Sequence, residues 1–225
     1  MKEHPILMSA PMVRAILDGT KTQTRRAVKV QPPDALNDGR WYADRYNNGP
    51  QWCWWGKRGT DVEHKCAHHI GQTCPFGVVG DRLWVRETWA PDPRAPEVDG
   101  CAVYRATDEV TINAHGARVD RWRPSIHMPR WASRITLEVT EVRVQRLGDI
   151  SEDDALAEGI RKVTKDGNVM KYCVYDASND HSSTPWSEMR RSPQLAYMRL
   201  WDSINGEGAS EVNPWVWAIS FKRTP

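Results

Sequence analysis

Phenylalanine is nearly missing from this chain, with two residues against twelve tryptophans and six tyrosines in 225. The aromatic content therefore rests on indole, which carries one N–H donor and a broad stacking face suited to a nucleobase. Most of these rings are still expected to fill the core. No run of about 18 apolar residues occurs, which excludes a helical membrane span. No long apolar segment follows Lys2, so no signal peptide is expected, and the location read from this is cytoplasmic. The five cysteines contain no Cys-x-x-Cys pair and are not expected to form a disulfide framework. Surplus charge is missing too. Lys plus Arg number 31 and Asp plus Glu 29, a net charge of +2, which excludes a bulk polycationic surface but allows a local basic patch. The length suits a single domain, 1–225, with insertions.

What is present begins with Gly19-Thr20-Lys21-Thr22-Gln23-Thr24-Arg25-Arg26. Ser9, Pro11 and the stripe Met12, Val13, Ile16, Leu17 predict a short helix before it, with Gly19 at its C-terminal cap. As a strand over about Thr20 to Val30, the segment places Thr20, Thr22, Thr24 and Arg26 on one face and Lys21, Gln23 and Arg25 on the other. A bend after Gly19 would bring Lys21 to Thr24, a base beside a hydroxyl, with arginine near for an oxyanion.

Further strands are expected at Pro5 to Met8, Arg82 to Glu87, Cys101 to Ala106, Arg134 to Arg146 and Pro214 to Lys222. Helices are expected from Ser151 to Gly159 and after Ser192-Pro193. Residues 34–79 and 162–191 lack sustained periodicity and read as two inserted loop regions, the first with a hairpin around Trp41 to Trp55. Many short strands and few helices predict an α+β fold, a small closed or nearly closed β-barrel with flanking helices. Glu138 falls in mid-strand between apolar neighbours, where a carboxylate needs a partner. Lys21 or an arginine of the first motif is the expected one. The same residues would also serve as a purely structural ion-pair cluster.

Gly19, Lys21 and Arg26, placed directly after the first helix, resemble the signature of the ASCH family, small barrels of the PUA-like group. The run Ile16 to Arg26 is similar to that of the family's bacterial N4-acetylcytidine amidohydrolases, which use a lysine, a threonine three residues later and a glutamate on a later strand. Residues 80–89 and 124–138 resemble longer ASCH-like proteins of bacteriophages and prophages. The resemblance implies Lys21 as base, Thr24 as nucleophile or water-positioning group and Glu138 as orienting group or acid, with no required cofactor. It further implies Arg26 as an oxyanion or ribose contact, with Arg25 beside Lys21 and Trp84 or Trp131 stacking on the base. The implied substrate is a modified nucleoside or RNA, in the cytoplasm of a bacterial host if the chain is phage-encoded. A non-catalytic module binding RNA or a nucleotide in the same cleft is the alternative.

Two more clusters stand out. Cys53, Cys66 and Cys74, with His64, His68 and His69, offer thiolate and imidazole for a structural zinc that would order the first insertion. Arg121-Trp122-Arg123, Arg130-Trp131 and Arg134 interleave guanidinium and indole as a nucleic-acid groove does. His127 reads as a loop residue, and Cys101 and Cys173 as ordinary small side chains.

Overall fold

Ser9, Pro11 and Gly19 bracket the first helix, although the Ser9 side chain makes no capping hydrogen bond. In the computed structural model, β1 (Glu3–Leu7) leads into α1 (Ala10–Leu17), whose Val13, Ala15 and Ile16 are buried. Gly19 then adopts φ +75°, a conformation that a side chain resists. The structure describes residues 1–31, 40–44, 51–55, 70–92, 101–107, 119, 121–174 and 185–224, and only the backbone of 40–44, 51–55 and 70–72.

The strand that follows is shorter than the predicted Thr20 to Val30. β2 covers Gln23–Ala27, because the backbone before it is committed elsewhere. Thr20 and Lys21 donate to the Ala15 carbonyl, and Thr22 donates to Ala157 at the end of a later helix. β3 (Arg40–Asp44), β4 (Gln51–Trp55) and β5 (Ile70–Thr73) form an antiparallel three-stranded sheet in the first insertion, which contains the expected hairpin. β6 (Arg82–Arg86), the β7 (Trp89–Pro91) and β8 (Ala102–Tyr104) pair, and the 11-residue β9 (Thr136–Arg146) come next. After α2 (Glu152–Ala157), β10 (Ile160–Thr164) and β11 (Met170–Val174) make a hairpin where the sequence suggested no element. Its turn is a local one. Asp166 Oδ1 accepts from the Asn168 and Val169 amides, and Gly167 takes φ +78°. α3 (Pro193–Asn205), capped by the Ser192 hydroxyl, and β12 (Trp215–Arg223) complete the chain.

The main sheet has the order β1-β6-β9-β12-β2, parallel between β1 and β6 and antiparallel elsewhere. The fold is mixed α+β, mostly sheet. The expected closed barrel is not found: β1 and β2 are the two edges, and no backbone ladder joins them among the described residues. The contact across that gap is a side chain, Arg26 Nη2 to the Leu7 carbonyl at 2.7 Å.

One core lies between the sheet and α1, including Ile6, Val13, Leu83, Leu137, Val139, Trp217 and Ile219. A second, including Leu147, Ala155, Tyr197, Trp201 and Val216, lies under α2 and α3 on the other face. β12 touches both, which is why Val216 to Ile219 is an unbroken buried run. β9 changes phase within its length. Val139 pairs with Phe221 and Glu141 with Ser220, leaving Thr140 as the extra residue of a bulge. Strict alternation would put Val142 and Val144 on the Glu138 face. The bulge returns both to the core that holds Leu137 and Val139.

Candidate functional site

Lys21 is the centre of the site, and it is buried, with 2% of its surface exposed. Its ammonium donates three hydrogen bonds of 2.8 Å, to the Gln23 carbonyl, the Glu158 carbonyl and Glu158 Oε2. Three donors thus meet three acceptors. Burial pushes the Lys21 pKa below its ordinary value, with the Glu158 charge opposing and Arg26 and Arg25 adding to the depression.

The partner carboxylate is Glu158, and not the expected Glu138. Glu158 caps the C-terminus of α2 just before Gly159, whose φ is +93°. A Cβ on Gly159 would stand 3.4 Å from Ala15 Cβ and 3.5 Å from Lys21 Cβ, so the glycine lets the turn close onto α1 and Lys21. Glu138 projects from the other face of β9, opposite Leu137 and Val139. Helices do not bury it there, and it pairs with Lys222 on the neighbouring strand at 3.1 Å. Its β-branched surroundings suggested burial, but only every second neighbour is inside.

The predicted division of faces on β2 holds. Gln23 and Arg25 lie across from Ser220 and Ala218, while Thr24 and Arg26 lie across from Ile219 and Trp217. Arg25 reaches Glu158 Oε1 at 3.2 Å and Asp154 Oδ2 at 2.8 Å, and also donates to Gln23 Oε1. Its Nε–H has no partner among the described residues although the residue is buried. Asp154 further accepts from Gln23 at 3.1 Å and from Arg143 at 3.0 Å. Burial works against its ionisation, but the Arg143 and Gln23 hydrogen bonds and the nearby guanidinium charges outweigh it and hold its pKa below the ordinary value. Asp154, Glu158, Arg143 and Tyr197 were not singled out by the sequence.

A cleft of about 400 Å³ opens onto this network in the gap between the sheet edges. Glu158, Arg25, Arg26 and Tyr197 line it, with Leu7, Met8, Ser9 and Met12 on one wall and Leu200, Trp201 and Ile204 of α3 on the other. Tyr197 stands close enough to Glu158 for the carboxylate charge to act on its phenol, and the Arg25 guanidinium lies 5.8 Å from its ring centroid. Burial first, then the Glu158 charge, raises the Tyr197 pKa well above its ordinary value, which keeps the phenol a donor. Arg26 is spent largely on structure, donating to the Leu7 and Arg25 carbonyls, and burial lowers its pKa.

Thr24 is fully buried and faces the α1 core, away from Gln23 and Arg25, and its hydroxyl has no hydrogen-bond partner among the described residues. Such an orphan hydroxyl costs about 1–3 kcal/mol. Lys21 places all three of its protons on other residues, so the expected Lys21–Thr24 meeting does not occur.

Trp84, Arg130 and Trp131 lie outside the cleft. Trp84 is on the outward face of β6, with the Arg86 and Arg130 guanidiniums 5.3 and 5.9 Å from its ring centroid. Arg130 is tied to Glu3 at 2.8 and 3.1 Å. Trp131 packs edge-on against the buried Trp89 at 5.5 Å. Arg134 instead pairs with the buried Glu87, at 2.9 and 3.0 Å.

Of the zinc candidates, Cys66 and His64 lie outside the described residues, as do His68 and His69, and Cys53 is described in backbone only, paired with Gly71. Cys74 is in the α1 core, where burial pushes its thiol up to about 11, a poor state for a thiolate ligand. Among the described residues no group of three or more His, Cys, Asp or Glu side chains is placed to hold a metal, and no helix is long and apolar enough to cross a membrane. Compared with known proteins, the chain has no match to a family model, a curated protein or a solved structure.

Proposed function

We propose that this protein is an amidohydrolase that removes the acyl group from N4-acetylcytidine or a related nucleoside, with Glu158 in the role first expected of Glu138. The observation that carries the reading is that Glu158 and Arg25, which line a cleft of nucleoside size, are joined to a desolvated Lys21 behind them. Glu158 takes a proton from a water whose oxygen attacks the acyl carbonyl. Arg25, which lines the cleft, is the cation offered to the oxyanion that forms. The C–N bond then breaks, and the proton held on Glu158 passes to the departing N4, giving cytidine and acetate. Lys21 fixes the carboxylate through Oε2. Thr24 lies beneath the strand and acts at most through the packing of β2.

The ASCH relationship, its PUA-like barrel and a bacteriophage origin with a cytoplasmic site of action belong to this proposal. Gly19, Lys21 and Arg26 support it, as does the Arg26 contact that draws the β1 and β2 edges together. A second reading, a binding module for RNA or a nucleotide, is favoured by one observation: every Lys21 proton is already engaged.

Acetate release from N4-acetylcytidine decides between them. The amidohydrolase reading expects turnover that Glu158→Gln abolishes and Lys21→Ala strongly reduces. No release by the unmodified protein, with a nucleoside still bound, selects the second reading.

A further inference from the structure

Positive charge at the cleft exceeds the negative charge that meets it. Lys21, Arg25 and Arg26 share one buried carboxylate, Glu158, and Asp154 is divided between Arg25 and Arg143. Arg26 is the least compensated of them. Glu158 acts on it through space, because Oε2 is bound by Lys21 and Oε1 by Arg25. The hydrogen bonds of Arg26 go to uncharged acceptors, the Arg25 and Leu7 carbonyls and Met8 Sδ. Among the described residues no carboxylate forms an ion pair with it, and it lines the cleft. A guanidinium withdrawn from water without a counter-charge is unfavourable, and a bound anion relieves it.

The start of α1 stands beside this guanidinium. Leu7 and Met8, which Arg26 Nη2 bonds at 2.7 and 3.7 Å, run directly into Ser9, the N-cap of the helix. Ser9 and Met12 line the same cleft. The Ser9 hydroxyl makes no capping hydrogen bond, and the first turn holds no acidic residue. The first intrahelical bond runs from Val13 N–H to the Ser9 carbonyl at 2.9 Å. The Ala10 and Met12 amides therefore have no acceptor within the helix, and this end presents roughly half a positive charge. A cation beside the positive end of a helix is repelled unless an anion lies between them. The opposite wall, Leu200, Trp201 and Ile204, is apolar, which directs an anion to the α1 side.

We propose that the corner of the cleft between Arg26 and the N-terminus of α1 is an anion-binding subsite that takes a carboxylate or a phosphate group. Arg26 supplies the charge, and the Ser9 hydroxyl with the Ala10 and Met12 amides supplies the donors. The subsite itself follows from the charge balance and the bare helix end, and requires no hydrolysis. Only the naming of its occupant rests on the hydrolytic reading. There the anion is either the acetate released or the 5′-phosphate of an acylated cytidine monophosphate.

The test is calorimetric titration of the full chain with acetate, inorganic phosphate, cytidine and cytidine 5′-monophosphate, in chloride buffer at constant ionic strength. At least one of the three anions binds, and Arg26→Gln weakens it about tenfold or more. Arg26 also links β1 to β2, so Ser9→Asp provides a second arm that keeps the link. It sets a carboxylate at the helix cap, which raises the melting temperature of the free chain and lowers anion affinity. Arg199→Gln, at a guanidinium engaged with Glu188, removes the same charge and leaves the affinity unchanged. Cytidine 5′-monophosphate bound more tightly than cytidine assigns the subsite to a phosphorylated substrate. Acetate bound, with nucleotide and nucleoside bound alike, assigns it to the released carboxylate. Failure of all three anions to bind, or affinities unchanged in both Arg26→Gln and Ser9→Asp, overturns the proposal. Acetate release from N4-acetylcytidine is read separately. Turnover without anion binding removes the subsite and leaves the hydrolytic reading, whereas anion binding without turnover keeps the subsite and removes that reading.

Discussion

Lys21–Glu158 and Lys222–Glu138 join the same two side-chain types at 2.8 and 3.1 Å. Their settings differ completely. The side chains of the first pair are 0% and 2% exposed, those of the second 62% and 36%. In water the outer pair is screened and free to exchange partners. In the buried network neither member can return to solvent, so each depends on the other and on Arg25. Among the described residues the outer pair joins no further ion pair, while the inner one continues through Arg25, Asp154 and Arg143 from one strand to a helix and on to another strand. Chemical identity is therefore a poor guide to consequence, and burial decides it.

The comparison breaks most sharply at the inner pair. Glu158→Gln lowers acetate release by about 10²- to 10⁴-fold, the usual range for a lost acid–base group, in a steady-state assay. Lys21→Met leaves a buried carboxylate short of its closest cation and lowers stability by about 3–5 kcal/mol in denaturant titration. Gly159→Ala forces a side chain into positive φ against Lys21 and Ala15, a loss of roughly 1–2 kcal/mol in the same measurement. The acid limb sharpens the contrast. The Asp154 pKa is lower when folded than its ordinary 3.8, so its contribution is complete above pH 3.8 and is lost as pH falls through the folded value. Asp154→Asn should flatten the stability profile below pH 3.8 relative to the unmodified chain. Glu138→Gln is the smallest effect: no more than about 1 kcal/mol of stability, and acetate release unchanged. A loss of turnover in Glu138→Gln comparable to that in Glu158→Gln would erase the distinction.

Much of the frame was legible from local chemistry. Ser9, Pro11 and Gly19 marked α1, Ser151 and Gly159 marked α2, and the alternation after Gly19 separated Gln23 and Arg25 from Thr24 and Arg26. The carboxylate was not legible because the apolar neighbours of Glu138, Leu137 and Val139, point inward while Glu138 itself faces out. Glu158 had a signal of its own, an acid directly before a helix-ending glycine, but its meeting with Lys21 spans 137 residues and no local pattern encodes that distance. The β10–β11 hairpin hid behind a polar sequence in which only Ile160 and Val163 of the first strand are buried, although Asp166-Gly167 is a turn signal. Closure of the sheet was not legible, since sequence predicts strands more readily than their last pairing, and among the described residues no ladder joins β1 to β2.

The extra residue at Thr140 has a reach beyond its own strand. It allows one continuous backbone to serve two masters: Leu137, Val139, Val142 and Val144 all go to the interior under α1, while Arg143 comes out on the opposite side to grip Asp154. Slide the strand by one position, and the guanidinium would be driven into hydrocarbon as the valines were driven out. The irregularity thus works as a lock on alignment, tying the placement of the charged array to the packing of a core it never touches.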